Sequence, residues 1–142
     1  MKKPRGTQLT FKPISDPALI PPYLVEQMKG REFEVEQFYK VVPLMMRSPF
    51  VIFGAFVNME KEIKGFLLGD VNPLDMWLHI AMLSIDKQYY RKGIIPETLG
   101  ILKHVVKNNE LKGIVMVTTR PKAFEIAGFE RSKLTRMRYI YG

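Results

Sequence analysis

Ile85-Asp86-Lys87-Gln88-Tyr89-Tyr90-Arg91-Lys92-Gly93-Ile94-Ile95-Pro96 joins two segments of different periodicity, and this junction decides how the 142-residue chain is read. Before it, Met76 to Ile85 is a short apolar run bounded by turn residues, the length of a buried strand. After it, Pro96 opens a helix whose Leu99, Leu102, Val105 and Val106 make one apolar stripe. Lys103 and Lys107 fall on or near the other face, and Asn108-Asn109 stops the helix. A strand that feeds a helix through a basic, glycine-bearing loop is suited to anions. Amides at the helix N-terminus and the positive end of its dipole attract phosphate, and glycine lets the backbone come close.

Upstream of the junction, Phe50 to Asn58 and Glu62 to Asp70 are rich in Phe, Val, Ile and Leu and are separated by Met59-Glu60-Lys61, the pattern of a hairpin. Asn72-Pro73-Leu74-Asp75 is a turn, so these two segments and Met76 to Ile85 form an antiparallel meander. Nearer the N-terminus, Leu9 to Ile14 alternates as an edge strand with Pro13 at its end. A helix follows from Tyr23 to Lys29, with Pro22 in its first turn and Gly30 closing it. A second helix, from about Glu32 to Met46, has Val35, Phe38, Tyr39, Val42, Met45 and Met46 as its core stripe. Downstream, Gly113 to Thr118 reads as a buried strand, Lys122 to Ala127 as a short helix capped by Gly128, and Arg131 to Tyr141 as a closing strand. The order is β α α β β β α β α β. It gives an α/β (α+β) fold in one domain, residues 1–142: a mixed, mostly antiparallel sheet with Met76 to Ile85 at its centre and helices packed on it.

Composition excludes several classes. With no cysteine there is no disulfide framework, no thiolate metal site and no cysteine nucleophile. The only two histidines, His79 and His104, leave a transition-metal site short of nitrogen ligands, so no metal is expected. No apolar run approaches the roughly 18 residues of a membrane span. The basic N-terminus is not followed by an apolar stretch of the kind that drives export. A cytoplasmic location is the expectation. Charge is uneven. Residues 1–85 hold 10 basic and 9 acidic side chains, a net of +1, whereas residues 86–142 hold 12 and 5, a net of +7. An anionic partner for the C-terminal half follows: a phosphorylated cofactor, an acidic protein or nucleic acid. Tyr89-Tyr90-Arg91-Lys92 and Arg136-Met137-Arg138-Tyr139 mix bases and aromatics as single-strand binders do, but no nucleic-acid motif is present, and nucleic acid ranks below an acidic protein.

The element order, and above all the stretch from Leu83 to Phe129, resembles the GNAT superfamily of acetyl-CoA-dependent N-acetyltransferases. The residues from Ile85 to Pro96 align without a gap with that family's Val-x-x-x-x-Arg/Gln-x-x-Gly-x-Gly/Ala pyrophosphate loop, and Ala123-Phe124-Glu125-Ile126-Ala127-Gly128-Phe129 looks like its Tyr-x-x-x-Gly-Phe segment. The resemblance implies acetyl-CoA as cofactor and an amine as acceptor. The pyrophosphate would lie against the amides of Arg91, Lys92, Gly93, Ile94 and Ile95, and the pantetheine arm would pair with the main chain of Leu83 and Ile85. The family's base, a Glu near the start of the fourth strand, falls on His79, whose imidazole changes charge near neutral pH and can do that task. Three departures stand out. Tyr90 replaces the loop Arg or Gln, Ile95 replaces the last small residue, and Phe124 stands where many members have an acidic tyrosine. The departures keep open a reading of another class, a non-catalytic GNAT-fold assembly module. Small GNAT-like proteins encoded by bacteriophages, some of them virion or head-assembly components, are the analogy, which would place the protein in host cytoplasm or virion.

Overall fold

The computed structural model describes residues 8–28, 33–90, 95–118, 121–126, 128–133, 137 and 139. Five strands form one sheet in the order β1-β2-β3-β4-β5: Thr10–Pro13, Val51–Val57, Ile63–Asn72, Trp77–Ile85 and Gly113–Met116. The first four are antiparallel neighbours, and β5 joins β4 in parallel. The helices are α1 (Pro22–Glu26), α2 (Val35–Met45), α3 (Lys87–Tyr90), α4 (Ile95–Asn108) and α5 (Pro121–Ile126). A parallel neighbour needs a crossover, and α4 lies in the connection from β4 to β5.

The two-residue period of β2 and β3 sorts their side chains onto opposite faces. Phe53, Ala55 and Val57 of β2 and Phe66 and Leu68 of β3 pack with Ile20, with Leu24 and Val25 of α1, and with Phe38 and Val42 of α2. Phe56 and Leu67, one residue out of phase, pack instead with Leu9, Ile85, Tyr89, Leu99, Leu102 and Phe124. Burial on both faces explains why these strands read as continuous apolar runs rather than alternating ones. The first layer is centred on aromatic rings, with Phe38 5.1 Å from Phe66 and 6.3 Å from Phe53 between centroids. In the second layer Phe11 lies across the sheet against Phe56, 5.3 Å away, over a position where only Gly54 fits, since a Cβ there would run into the Phe11 ring. α2 begins with a reciprocal cap: the Glu34 side chain accepts from the N3 amide while the Gln37 side chain accepts from the Glu34 N–H.

Several sequence expectations change. Among the described residues β3, not the fourth strand, is the middle of the sheet, because hairpin connections lay the meander down in chain order and β5 is the one described strand beyond β4. In the expected closing strand from Arg131 to Tyr141 the described residues form no strand, and Met137 and Tyr139 are exposed; Leu134, Arg136, Arg138, Ile140 and Tyr141 lie outside the described residues. Leu134, Arg136, Arg138 and Ile140 share one parity, so a strand there would carry guanidinium and apolar groups on a single face. The Asp86 to Tyr90 connection holds a helix that hydropathy did not mark: Asp86 caps α3 by accepting from Gln88 N–H at 2.9 Å through Oδ1 and from Tyr89 N–H at 2.9 Å through its carbonyl. Met45, expected in the core, is exposed at the end of α2, whereas Met46 is half-buried against the first layer. Gly30, expected to close α1, lies outside the described residues.

Phe66 is fully buried between two other rings, so Phe66→Ala should lower unfolding free energy by about 3–5 kcal/mol in urea titration. Leu74→Ala, at a residue 93% exposed, should stay within about 0.5 kcal/mol of the parent.

Candidate functional site

β4 is paired unequally on its two sides. On the β3 side the ladder runs from Trp77 opposite Asn72 to Ile85 opposite Gly65. On the β5 side it covers only Trp77 to Ile80, opposite Gly113 to Met116. The shared end is tight, because Gly113 leaves room for the Trp77 indole where a Cβ would stand 2.6 Å from the ring. Past Met116 the chain leaves the sheet, and Val117 is 73% exposed. The β3–β4 register also shifts between Leu68 and Gly69, which pair with Met82 and Ile80, so Ala81 is an extra residue in β4. A bulge of this kind bends and twists its strand. It falls where β4 and β5 part.

The direction of the main-chain groups beyond the bulge follows from one hydrogen bond. Asp86 N–H donates to the Lys64 carbonyl at 2.8 Å, which makes Lys64 and Asp86 a hydrogen-bonded pair. Alternation then makes Phe66–Ser84 and Leu68–Met82 hydrogen-bonded pairs too, and leaves Leu83 and Ile85 with their main-chain groups turned away from β3. Those groups face the side on which β5 has stopped. The Gln27 side chain of α1 donates through Nε2 to the Ile85 carbonyl and, at 2.9 Å, to Ser84 Oγ, which itself donates to the Leu24 carbonyl at 2.6 Å. Ile85 thus keeps its N–H toward the gap, and Leu83 keeps both groups.

The anion loop is placed in part. Ile95 opens α4, ten residues after β4 ends at Ile85; Arg91, Lys92, Gly93 and Ile94 lie outside the described residues. Phe124 is buried in the second layer and stacks edge-on against Phe129, 5.7 Å away. It has no proton to give. Tyr89 is a buried packing residue and His104 is exposed on α4.

His79 stands in the paired part of β4, opposite Asp70 of β3 and Val115 of β5, two residues before the bulge. At about 3.3 Å per residue it is roughly 13 Å along the strand from Leu83. It lines an open groove of about 640 Å³ with Met45, Phe50, Val51, Asp70 and Asn72 on the α2 side of the sheet. Its Nε2 lies 3.7 Å from Asp75 Oδ2. Nothing in the sequence marks Asp75 as more than a turn residue. The signal that could have found the pair is the i,i+4 spacing of an aspartate in a turn and a histidine in the strand that follows.

A second feature unseen in the sequence is the Tyr23 hydroxyl, which donates to Asp86 Oδ2 at 2.8 Å across 63 residues of chain. Partial burial, and then the Asp86 carboxylate that accepts from the hydroxyl, push the Tyr23 phenol well above its ordinary range. Burial moves Tyr39 in the same direction, with its hydroxyl donating to the Ile20 carbonyl. Among the described residues no cluster of His, Asp and Glu could hold a metal ion, and no helix is long and apolar enough to cross a membrane.

Comparison with solved structures places this architecture. A spermidine N-acetyltransferase chimera from Vibrio cholerae superposes with a TM-score of 0.74 at 15% identity, over 95% of this chain and 89% of that one. AAC(6')-Iy, in complex with the bisubstrate analogue CoA-S-monomethyl-acetylneamine, gives 0.71 at 8% identity over 95% and 99%. An acetyltransferase from Trypanosoma brucei gives 0.67 at 14% identity over 94% and 100%. No protein-family profile and no curated protein matches the sequence. At these identities the likeness is one of fold, and the chain has the fold of the GNAT acetyltransferases.

The raised Tyr23 phenol has a pH consequence. The folded state keeps a proton that an unfolded tyrosine gives up, so this contribution is present below pH about 10 and is lost as pH rises further. The urea midpoint should therefore fall between pH of about 9 and about 11, and fall less in Tyr23→Phe, as followed by far-UV circular dichroism.

Proposed function

We propose that the chain is an acetyl-CoA-dependent N-acetyltransferase-like protein that binds its cofactor in the gap between β4 and β5. The observation that carries this reading is the ladder that ends at Ile80 and Met116 while β4 continues to Ile85. Unpaired strand groups are a template for another extended chain, and the amide-bearing pantetheine arm is such a chain. Leu83 and Ile85 would hold it, and the amides of Arg91, Lys92, Gly93, Ile94 and Ile95 would take the pyrophosphate at the start of α4. When bound, acetyl-CoA supplies an activated acetyl thioester. The chain's own part is to align that group, keep the amine acceptor beside it and take the ammonium proton. His79 is the base in this reading, and its groove on the α2 side is the acceptor's approach.

Phe124 supports a second reading, a non-catalytic GNAT-fold interaction or assembly module of the kind bacteriophages encode. The net +7 of residues 86–142 would then serve an acidic protein partner. The two readings share the fold and differ in ligand and turnover.

Acetyl-CoA at about 100 times its dissociation constant should stabilise the protein by roughly 2.7 kcal/mol, read as a thermal shift that shrinks with salt. Gly93→Val should abolish the shift without unfolding the protein. Amine acetylation should fall in His79→Gln and rise in Phe124→Tyr, since proton transfer by a positioned group is worth about 10²–10⁴-fold. A parent without shift, and without turnover even as Phe124→Tyr, would leave the assembly module as the surviving reading.

A further inference from the structure

His79 and Asp75 form a built arrangement. The turn from Asn72 to Met76 is closed by Met76 N–H donating to the Asn72 carbonyl at 2.8 Å and by Leu74 N–H donating to Asn72 Oδ1 at 2.9 Å. Met76 adopts a left-handed φ of 62°, and its carbonyl accepts from Lys112 N–H at 2.8 Å, so the turn is held from the β5 side as well. Within this frame the two oxygens of Asp75 have different tasks. Oδ1 accepts from Trp77 N–H at 2.9 Å. Oδ2 is left facing His79 Nε2 at 3.7 Å, within ion-pair reach though longer than a hydrogen bond. The imidazole is 41% exposed, yet Nε2 itself is covered and has no hydrogen-bond partner. Of the two ring nitrogens it is Nε2 that is covered without a partner, which leaves Nδ1 as the nitrogen available to the groove that His79 lines.

We propose that Asp75 is a positioning residue that holds neutral His79 as the Nε2–H tautomer and so presents Nδ1 as the proton acceptor toward the groove. A covered nitrogen beside a carboxylate is stable as a donor and costly as a bare lone pair. The proton moves from the acceptor's nitrogen to Nδ1, and the amine keeps the electron pair with which it attacks. Asp70, opposite His79 in the ladder and lining the same groove, adds a negative charge where a cationic amine would arrive. The inference rests on the acetyltransferase reading for its substrate, but the tautomer stands independently of it.

Asp75→Asn gives an unusually specific test. Trp77 N–H still needs an acceptor, so the carboxamide oxygen takes the place of Oδ1 and its NH₂ group turns to His79. It then donates to Nε2 and drives the neutral ring to the Nδ1–H form. Long-range ¹⁵N–¹H spectra of imidazole-labelled protein, taken at a pH where the ring is neutral, read the tautomer directly. The expected result is Nε2–H in the parent and in a charge-retaining Asp75→Glu variant, and Nδ1–H in Asp75→Asn. An Nδ1–H parent, or a tautomer indifferent to Asp75→Asn, overturns the proposal. The parent spectrum decides the first point even if the variants fold poorly. In acetylation assays Asp75→Asn should lose about as much kcat as His79→Gln, in the range of about 10²–10⁴-fold, with KM for acetyl-CoA unchanged and the double variant no worse than either single. A parent with the expected tautomer but no turnover would overturn the enzymatic reading and leave the role of Asp75 in fixing the ring intact.

Discussion

β4 is held along its whole length by β3 but by β5 for only four residues, and most of what is distinctive in this structure depends on that inequality. A strand edge in a protein interior must satisfy its main-chain groups by another strand, by side chains or by a ligand. Here each of the three has a part. β5 takes the first four residues of the strand, Gln27 takes the Ile85 carbonyl, and the groups of Leu83 and the Ile85 N–H remain turned toward the gap. The rest of the sheet acts as support. Two packed layers fix β3, and β3 fixes β4, so the gap is preformed rather than created by whatever enters it.

The polar contacts are arranged around the same strand. At its far end, Ser84, Gln27 and the Leu24 carbonyl tie α1 to β4, and Tyr23 ties α1 to the Asp86 cap of α3. At its near end, the Asn72 to Met76 turn sets Asp75 against His79. The bulge at Ala81 separates these two ends. The unpaired main-chain groups of Leu83 and Ile85 thus lie beyond the bulge, and the titratable ring of His79 stands before it, in the part of β4 that β5 still pairs.

Much of the fold was legible in the sequence because it rests on short-range signals. The hairpin of β2 and β3 and the Pro96-containing helix announce themselves through β-branched and aromatic runs, turn residues and one apolar stripe, and they lie within two residues of their expected limits, whereas α2 starts three residues later than expected, at Val35. What was not legible depends on contacts far apart in the chain. Nothing in the spacing of Tyr23 and Asp86 or of Gln27 and Ser84 indicates that they meet. The place of β4 beside the middle of the described sheet rather than at it depends on the number of strands beyond it. Asp75 was overlooked for a different reason. It was read as a turn residue, which it is, and only the left-handed Met76 and the pinned Oδ1 show that its second oxygen is aimed at His79.

The most direct measurement of the central claim is residue-resolved amide hydrogen exchange along β4, with and without saturating acetyl-CoA. In the free protein Met82 and Ser84, whose amides face β3, should exchange slowly, and Leu83 and Ile85 should exchange fast. Acetyl-CoA should slow Leu83 and Ile85 selectively. Unchanged exchange at both residues with the cofactor bound, or slowing confined to other strands, would contradict the account.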